Sequence, residues 1–158
     1  MNFKFHKKEI VIYAPCNGKL VALKDVPDPV FSQEMMGKGM AIIPEDGEMK
    51  APLDGTLLVI PETKHAFGIE QGKLDVLVHI GIDTVVLKGE GFTTAKTVGG
   101  EVKRGETIIQ TDLEVIVSKA KSTIVPIVLT NMEEVDSVKY QSLGKITTDD
   151  WIMKVVLK

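Results

Sequence analysis

Short runs of apolar residues alternate with turn-forming residues along most of the chain. Glycine follows Asn, Asp, Gln, Arg or Gly between these runs, as tight turns require. Many short strands separated by close turns are typical of a β-sandwich or barrel. The pattern therefore predicts an all-β, antiparallel β-sandwich or barrel with one or two short helical turns. The apolar runs are 10–13, 20–23, 40–43, 57–60, 74–80, 84–87, 108–110 and 124–129.

One segment favours a helix instead of a strand. It covers residues 112–121, with Thr111 or Asp112 as the N-cap and Glu114 in the first turn. Its length predicts one to three helical turns.

A short motif, Ala-Pro-x-x-Gly, occurs at 14–18 and again at 51–55, each time before an apolar run. Proline sets a turn and glycine permits a positive φ, so the repeat predicts a duplicated hairpin unit. Biotinyl and lipoyl carrier domains use similar strands and modify a lysine on a hairpin tip. Under that alternative the modified residue is Lys50, although it directly adjoins Ala51, whereas the carrier lysine lies further upstream.

Length and composition indicate one domain over residues 1–158, with residues 1–8 as a flexible lead. A chain of 158 residues with 44% hydrophobic residues can bury a core without disulfides or metals. The net charge of −3 and the 5% aromatic content disfavour a nucleic-acid partner.

The single cysteine, Cys16, cannot form an internal disulfide and has no zinc-type spacing around it. One cysteine suits a reducing cytosol. No run approaches the roughly 18 apolar residues of a membrane span. We therefore expect a cytoplasmic protein, with Cys16 as a packing residue beside a turn.

Two of the three histidines, His65 and His79, are the candidate chemical groups. Alternation along 74–80 places His79 on a mixed face, opposite the apolar one. The Gly81 carbonyl could accept from Nδ1–H of His79, which leaves Nε2 as a neutral nucleophile. In an extended segment, Thr63 would point the same way as His65 and could hydrogen-bond it.

The pattern alone is equally consistent with two buried, hydrogen-bonded core histidines. A serine triad lacks its nucleophile elbow, and a P-loop is absent. A sandwich-type zinc peptidase needs a His-x-His pair, and Gly81 occupies its second position. Two histidines without a full set of metal ligands suit histidine phosphorylation, in which one ring attacks phosphorus and the other, with a threonine, donates to phosphoryl oxygens.

Five segments closely resemble the glucose-type IIA proteins of the bacterial phosphoenolpyruvate-dependent sugar phosphotransferase system. They run in order over nearly the whole chain and include the two histidines, the Asp-Val-Pro-Asp stretch and the Ala-Lys-Ser-Thr stretch. The segments are 25–31, 63–67, 79–84, 87–92 and 120–128.

The resemblance implies a single IIA phosphotransfer domain that acts as a relay. The phosphocarrier protein HPr would phosphorylate His79, which would pass the group to a cysteine of the IIB domain of a sugar permease. His65 would be the second active-site histidine. Thr63 would hydrogen-bond within the site, and Asp83 would lie beside it.

Partner docking calls for a shallow apolar patch around the histidine. The candidates are Phe31, Met35, Met36 and Leu77. We expect a monomer that meets the membrane only through the permease.

We expect no cofactor and no stoichiometric structural metal, because two histidines leave two coordination positions of zinc unfilled. Zinc would be held at most weakly by His65 and His79, with a partner's carboxylate completing the site. An alternative function is regulation, in which the unphosphorylated protein chiefly binds other enzymes or transporters.

Overall fold

The structure, a computed structural model, describes residues 8–158. Two short α-helices, α1 (Pro29–Ser32) and α2 (Leu113–Lys119), and three 3-10 turns at Leu23–Asp25, Thr84–Leu87 and Met132–Glu134 connect the strands of this range. The strands are β1 (Glu9–Tyr13), β2 (Gly18–Ala22), β3 (Gly39–Pro44), β4 (Glu48–Lys50), β5 (Gly55–Val59), β6 (Ala66–Gln71), β7 (Leu74–His79), β8 (Phe92–Thr93), β9 (Glu101–Val102), β10 (Thr107–Thr111), β11 (Val125–Leu129), β12 (Val135–Tyr140), β13 (Gly144–Ile146) and β14 (Trp151–Leu157).

The strands form antiparallel sheets that enclose one main apolar core. The largest sheet has the order β13-β2-β3-β11-β7-β6-β5-β9, and the smaller ones are β1-β14-β12 and β4-β10-β8. Leu20, Phe67 and Ile127 come from the large sheet and Met153 from β14, and all four are fully buried in the core. The predicted all-β sandwich is confirmed, and the barrel alternative is wrong because the sheets stay open.

The two Ala-Pro-x-x-Gly turns contact each other reciprocally. The Tyr13 N–H donates to the Pro52 carbonyl at 2.8 Å, and the Lys50 N–H donates to the Pro15 carbonyl at 2.7 Å. The proline carbonyl of each turn thus accepts from the N–H of the residue that precedes the other turn. This reciprocal arrangement agrees with a duplicated unit. Lys50 is half-buried in β4 and pairs with Thr107, so it lies on no hairpin tip and the carrier-domain alternative is wrong.

The apolar run Thr84–Leu87 forms a 3-10 turn instead of a strand. Asp83 and Lys88, at its two ends, have left-handed backbone conformations that interrupt an extended chain. The other apolar runs fall mainly on strands, although Leu23 lies in a 3-10 turn. Helix α2 begins at Leu113, and the carboxylate of its N-cap Asp112 accepts from the Glu114 N–H. The expectation of a flexible 1–8 lead lies outside the described residues except for Lys8, whose carbonyl accepts from the Leu157 N–H.

A second, smaller apolar cluster lies against the outer part of β3, β7 and β11 and supports the histidine site. Phe31 belongs to it, and Met36 and Leu77 pack against it while remaining partly exposed. Since α1 contributes Phe31 and β7 contributes Leu77, the cluster fixes the segment around α1 against the strand that ends at His79. Its buried members are Leu23, Val26, Phe31, Ala41, Ile82, Ile124 and Val128.

Candidate functional site

His79 is the last residue of β7, near the middle of the large sheet. The strand alternates as predicted: Leu74, Val76 and Val78 are buried, whereas Leu77 and His79 are partly exposed on the opposite face. The imidazole of His79 therefore lies at the surface, while the buried face of β7 holds its backbone in place.

The ring of His79 is oriented by the backbone that follows it. Its Nδ1 lies 2.8 Å from the Gly81 carbonyl oxygen. Because a carbonyl only accepts, Nδ1 carries the proton, and in the neutral ring the lone pair is on Nε2. Gly81 is needed here: its φ is +79°, and a Cβ would lie 2.5 Å from Cγ2 of Thr84.

The turn after His79 is held by buried hydrogen bonds. The fully buried Thr84 donates its hydroxyl to the Ile80 carbonyl at 2.7 Å. The Ile82 N–H donates to the Ser122 carbonyl at 2.9 Å. The carbonyl that orients His79 is therefore part of a rigid loop.

His65 reaches the site from a turn, not from an extended segment. The Lys64 N–H donates to the Pro61 carbonyl at 2.8 Å, and Lys64 has a left-handed φ of 56°. The expectation of an extended 63–65 segment is wrong, since this turn interrupts it. The turn nevertheless brings Oγ1 of Thr63 within 2.6 Å of Nδ1 of His65, the contact that the sequence predicts.

The imidazole rings of His65 and His79 are adjacent. Their ring centroids are 5.0 Å apart and the ring planes meet at 76°, an edge-on arrangement. Antiparallel pairing of β6 with β7 places Ala66 opposite His79, and the Ile80 N–H donates to the His65 carbonyl at 2.7 Å. Backbone pairing thus sets the spacing of the rings.

Burial favours the neutral form of both rings. It lowers the pKa of His79, although the hydrogen bond to Gly81 and the charge of Asp28 act in the opposite direction. Burial also lowers the pKa of His65, and the neighbouring His79 adds to that effect. A ring that stays unprotonated keeps its nucleophilic lone pair.

Two carboxylates lie at the rim. Asp83 and Asp28 both line a shallow depression of about 290 Å³ beside His79. Asp28 caps α1, where its carboxylate accepts from the Val30 N–H at 2.9 Å. Sequence reasoning named Asp83 and missed Asp28; the signal was its position before Pro29, at the start of a helix.

The predicted docking residues differ in exposure. Phe31 is only 4% exposed, and its ring centroid is 5.0 Å from that of His79. It therefore packs beside the imidazole ring and does not lie on the surface. Its expected exposure is wrong because Phe31 packs into the second cluster. Met35 is 68% exposed, and Met36 and Leu77 are half-buried.

Three valines add apolar surface that sequence reasoning missed. Val30 and Val85 line the depression beside His79, and Val86 follows in the same 3-10 turn. All three are exposed in the structure. The sequence pattern predicted a strand over 84–87, and alternation in a strand would have buried either Val85 or Val86. The exposure of both valines was therefore not predicted.

Other groups in the described residues offer little chemistry. Burial raises the pKa of the Cys16 thiol far above its ordinary value, so that thiol stays protonated. Within residues 8–158, no three His, Cys, Asp or Glu side chains are grouped to hold a metal. In the same range, every helix is too short or too polar to cross a membrane.

Comparison with known families gives one match over most of the chain. Residues 10–135 match the model of the phosphoenolpyruvate-dependent sugar phosphotransferase system, EIIA 1. The chain is 48% identical over 128 residues to a glucose-specific EIIA component of Halalkalibacterium halodurans, covering 80% of this chain and 74% of that one. It is 43% identical over 151 residues to the corresponding protein of Haemophilus influenzae, with coverages of 95% and 90%.

Two further relatives extend the comparison. A glucose-specific EIICBA component of Staphylococcus saprophyticus is 44% identical over 149 residues, which are 94% of this chain but only 22% of that longer protein. The solved structure of a glucose permease IIA from Mycoplasma capricolum superposes with a TM-score of 0.89 at 35% identity, covering 96% of this chain and 99% of that one.

Proposed function

This chain belongs to the glucose-type EIIA family of the phosphoenolpyruvate-dependent sugar phosphotransferase system, and we propose that it relays a phosphoryl group on His79. The main support for this proposal is the hydrogen bond from Nδ1 of His79 to the Gly81 carbonyl, with the His65 ring edge-on at a centroid distance of 5.0 Å. One nitrogen is committed to the backbone, so the other is the nucleophile.

In the proposed step, Nε2 of His79 attacks the phosphorus of a phosphohistidine on HPr. The P–N bond of the donor breaks as the new P–Nε2 bond forms, and Nδ1–H keeps its proton. The imidazole becomes cationic when Nε2 shares its lone pair. The Gly81 carbonyl stabilises that cation through the hydrogen bond already in place.

His65 and Thr63 compensate the charge of the phosphoryl group. When the Thr63 hydroxyl donates to Nδ1 of His65, the proton of the neutral ring lies on Nε2. That Nε2–H can donate to a phosphoryl oxygen in the loose transition state of the onward transfer. His65 is thus a donor and never the acceptor of phosphorus.

The onward partner in this proposal is a cysteine of a IIB domain in a sugar permease. The chain forms a single phosphotransfer domain that works in the cytoplasm as a monomer. Asp28 and Asp83 at the rim attract basic partner surfaces, and Met35, Val30 and Val85 supply apolar contact. A surface of flexible and small apolar side chains suits two unlike partners.

Intact-mass analysis after incubation with phosphoenolpyruvate, enzyme I and HPr tests the relay. The wild type should gain one acid-labile, base-stable phosphoryl group. His79→Gln should gain none, and the matched variant His6→Gln should label as the wild type does. Undiminished labelling of His79→Gln would refute the assignment.

A second function follows from the exposed apolar surface beside His79. Phosphorylation would place a dianion next to Val30 and Val85, both exposed. A regulated enzyme or transporter that binds this surface would then bind only the unphosphorylated protein. Affinity capture with His79→Gln, compared with the fully phosphorylated wild type, should recover such a partner from the first sample alone.

A further inference from the structure

An open cavity of about 370 Å³, about as open as the depression beside His79, lies apart from the histidine site but uses the same segment of chain. Ser32 and Glu34 line this cavity. Phe31 and Met36, from the same segment, line the depression beside His79 instead. The two concave surfaces share no lining residue, so the cavity is separate from the relay.

Part of the lining of this cavity is apolar. Leu23, Met40 and Leu143 line it, and Leu143 is 57% exposed. Its volume falls within the range of pockets that hold small organic ligands, roughly 300–1,000 Å³. An exposed leucine over such a cavity leaves apolar surface that a ligand could cover.

Charged and polar groups line the same cavity. Lys24, Glu34 and Tyr140 line the cavity. Lys24 and Glu34 form no ion pair with each other or with another side chain of residues 8–158. Glu34 and Tyr140 line the same cavity, and the charge of Glu34 adds to burial in raising the pKa of Tyr140. One cation and one anion therefore remain available at the same cavity.

The backbone at Glu34 is unusual for a glutamate. Its φ is 57°, in the left-handed region, just after the end of α1. Glycine or asparagine normally occupies such a position because other side chains are strained there. Backbone strain of this kind concentrates at sites with a function.

We propose that this cavity binds a small zwitterion with an apolar body, of the size of a dipeptide. Glu34 and the face of Tyr140 take the ammonium group, by ion pairing and cation–π contact. Lys24 takes the carboxylate. The apolar body lies over Leu23, Met40 and Leu143.

Two-dimensional NMR titration with the dipeptide Leu-Leu tests the site on the whole chain. Shifts should concentrate at the lining residues and saturate below about 10 mM, as a weak millimolar site would. Acetylation of the peptide's amine or amidation of its carboxylate should each weaken binding about two- to fivefold, because each removes one contact to an exposed charged side chain. Both peptides are read on the wild-type protein, so the result does not depend on how a variant folds.

Charge-removing variants assign each contact. In Glu34→Gln the acetylated peptide should bind as well as the free one, and in Lys24→Gln the amidated peptide should do so. The matched controls Glu45→Gln and Lys19→Gln, which are exposed and outside the cavity, should behave as the wild type. Absence of localised shifts, or equal binding of the free and capped peptides to the wild type, would overturn the proposal.

Discussion

The two imidazoles of the site are oriented by different kinds of group. His79 ends a strand in the large sheet and bonds to a backbone carbonyl, whereas His65 lies in a turn and bonds to the side-chain hydroxyl of Thr63. A carbonyl cannot be deleted by substitution, but a hydroxyl can. The orientation of His79 therefore depends on the backbone, whereas the orientation of His65 depends on the side chain of Thr63.

The largest effect should come from the residue that supplies the carbonyl. Gly81→Ala places a Cβ 2.5 Å from Thr84 Cγ2 and 2.9 Å from the Ser122 carbonyl, at a φ of +79°. We expect a loss of about 2–4 kcal/mol in the free energy of unfolding, from strain and overpacking together. Urea denaturation measures it.

Gly105→Ala is the matched control for that experiment. Its φ is +88°, but nothing lies within 4 Å of the added Cβ, so only the strain of about 1 kcal/mol should remain. Equal losses in the two variants would mean that the packing around Gly81 is looser than its contacts indicate.

Removal of the His65 imidazole should affect the two transfer steps, from HPr and to IIB, differently. His65→Gln should still accept phosphoryl groups on His79, because the nucleophile and its carbonyl remain. Transfer to IIB should fall about 100-fold, as for the loss of one transition-state donor. Single-turnover rates for both steps decide the matter, and wild-type rates in both would make His65 a packing residue.

A smaller effect of the same kind should follow from the hydroxyl. Thr63→Val should slow onward transfer about tenfold or less, since the ring of His65 remains but loses the partner that orients it. Thr63→Ser should restore most of the rate. Failure of serine to rescue would point to the threonine methyl group instead.

The pH dependence of stability should report on both rings at once. Each histidine has a lowered pKa in the folded chain, so the unfolded chain binds more protons as the pH falls below the ordinary value of about 6.5. Stability should therefore be full above about pH 6.5 and decline below it. Urea midpoints between about pH 7.5 and pH 5 measure this slope.

The double variant His65→Gln with His79→Gln should flatten that part of the curve. Asp75 is present in both proteins, and the burial and the Glu70 charge that raise its pKa give its effect the opposite sign. An unchanged slope in the double variant would assign the decline to other groups.

The smallest effect on stability should come from the docking surface. Met35→Glu should change the free energy of unfolding by less than about 0.5 kcal/mol, because Met35 is 68% exposed. The charge should still slow phosphoryl transfer from HPr several-fold. Met36→Glu is a poorer test, since half-buried Met36 packs on the second cluster and its loss would also destabilise the chain.

Local pattern was sufficient where the signal lay in neighbouring residues. Alternation in 74–80 placed His79 on the less buried face, and Gly81, two residues on, predicted the carbonyl contact that the structure contains. The repeated proline-glycine turns predicted a duplicated unit in the same way. Such features depend on backbone periodicity and turn chemistry, which act over a few residues.

Only the tertiary structure decided which distant groups surround the imidazoles. Asp28 comes to His79 because α1 packs on the second cluster, and Phe31 turns inward for the same reason. The 3-10 turn at Thr84–Leu87 forms because Thr84 is buried and bonded to Ile80, although its apolar residues suit a strand equally well. The residues alone specified a strand carrying a neutral histidine, and long-range packing selected the surface around it, since burial and contact are properties of the whole chain.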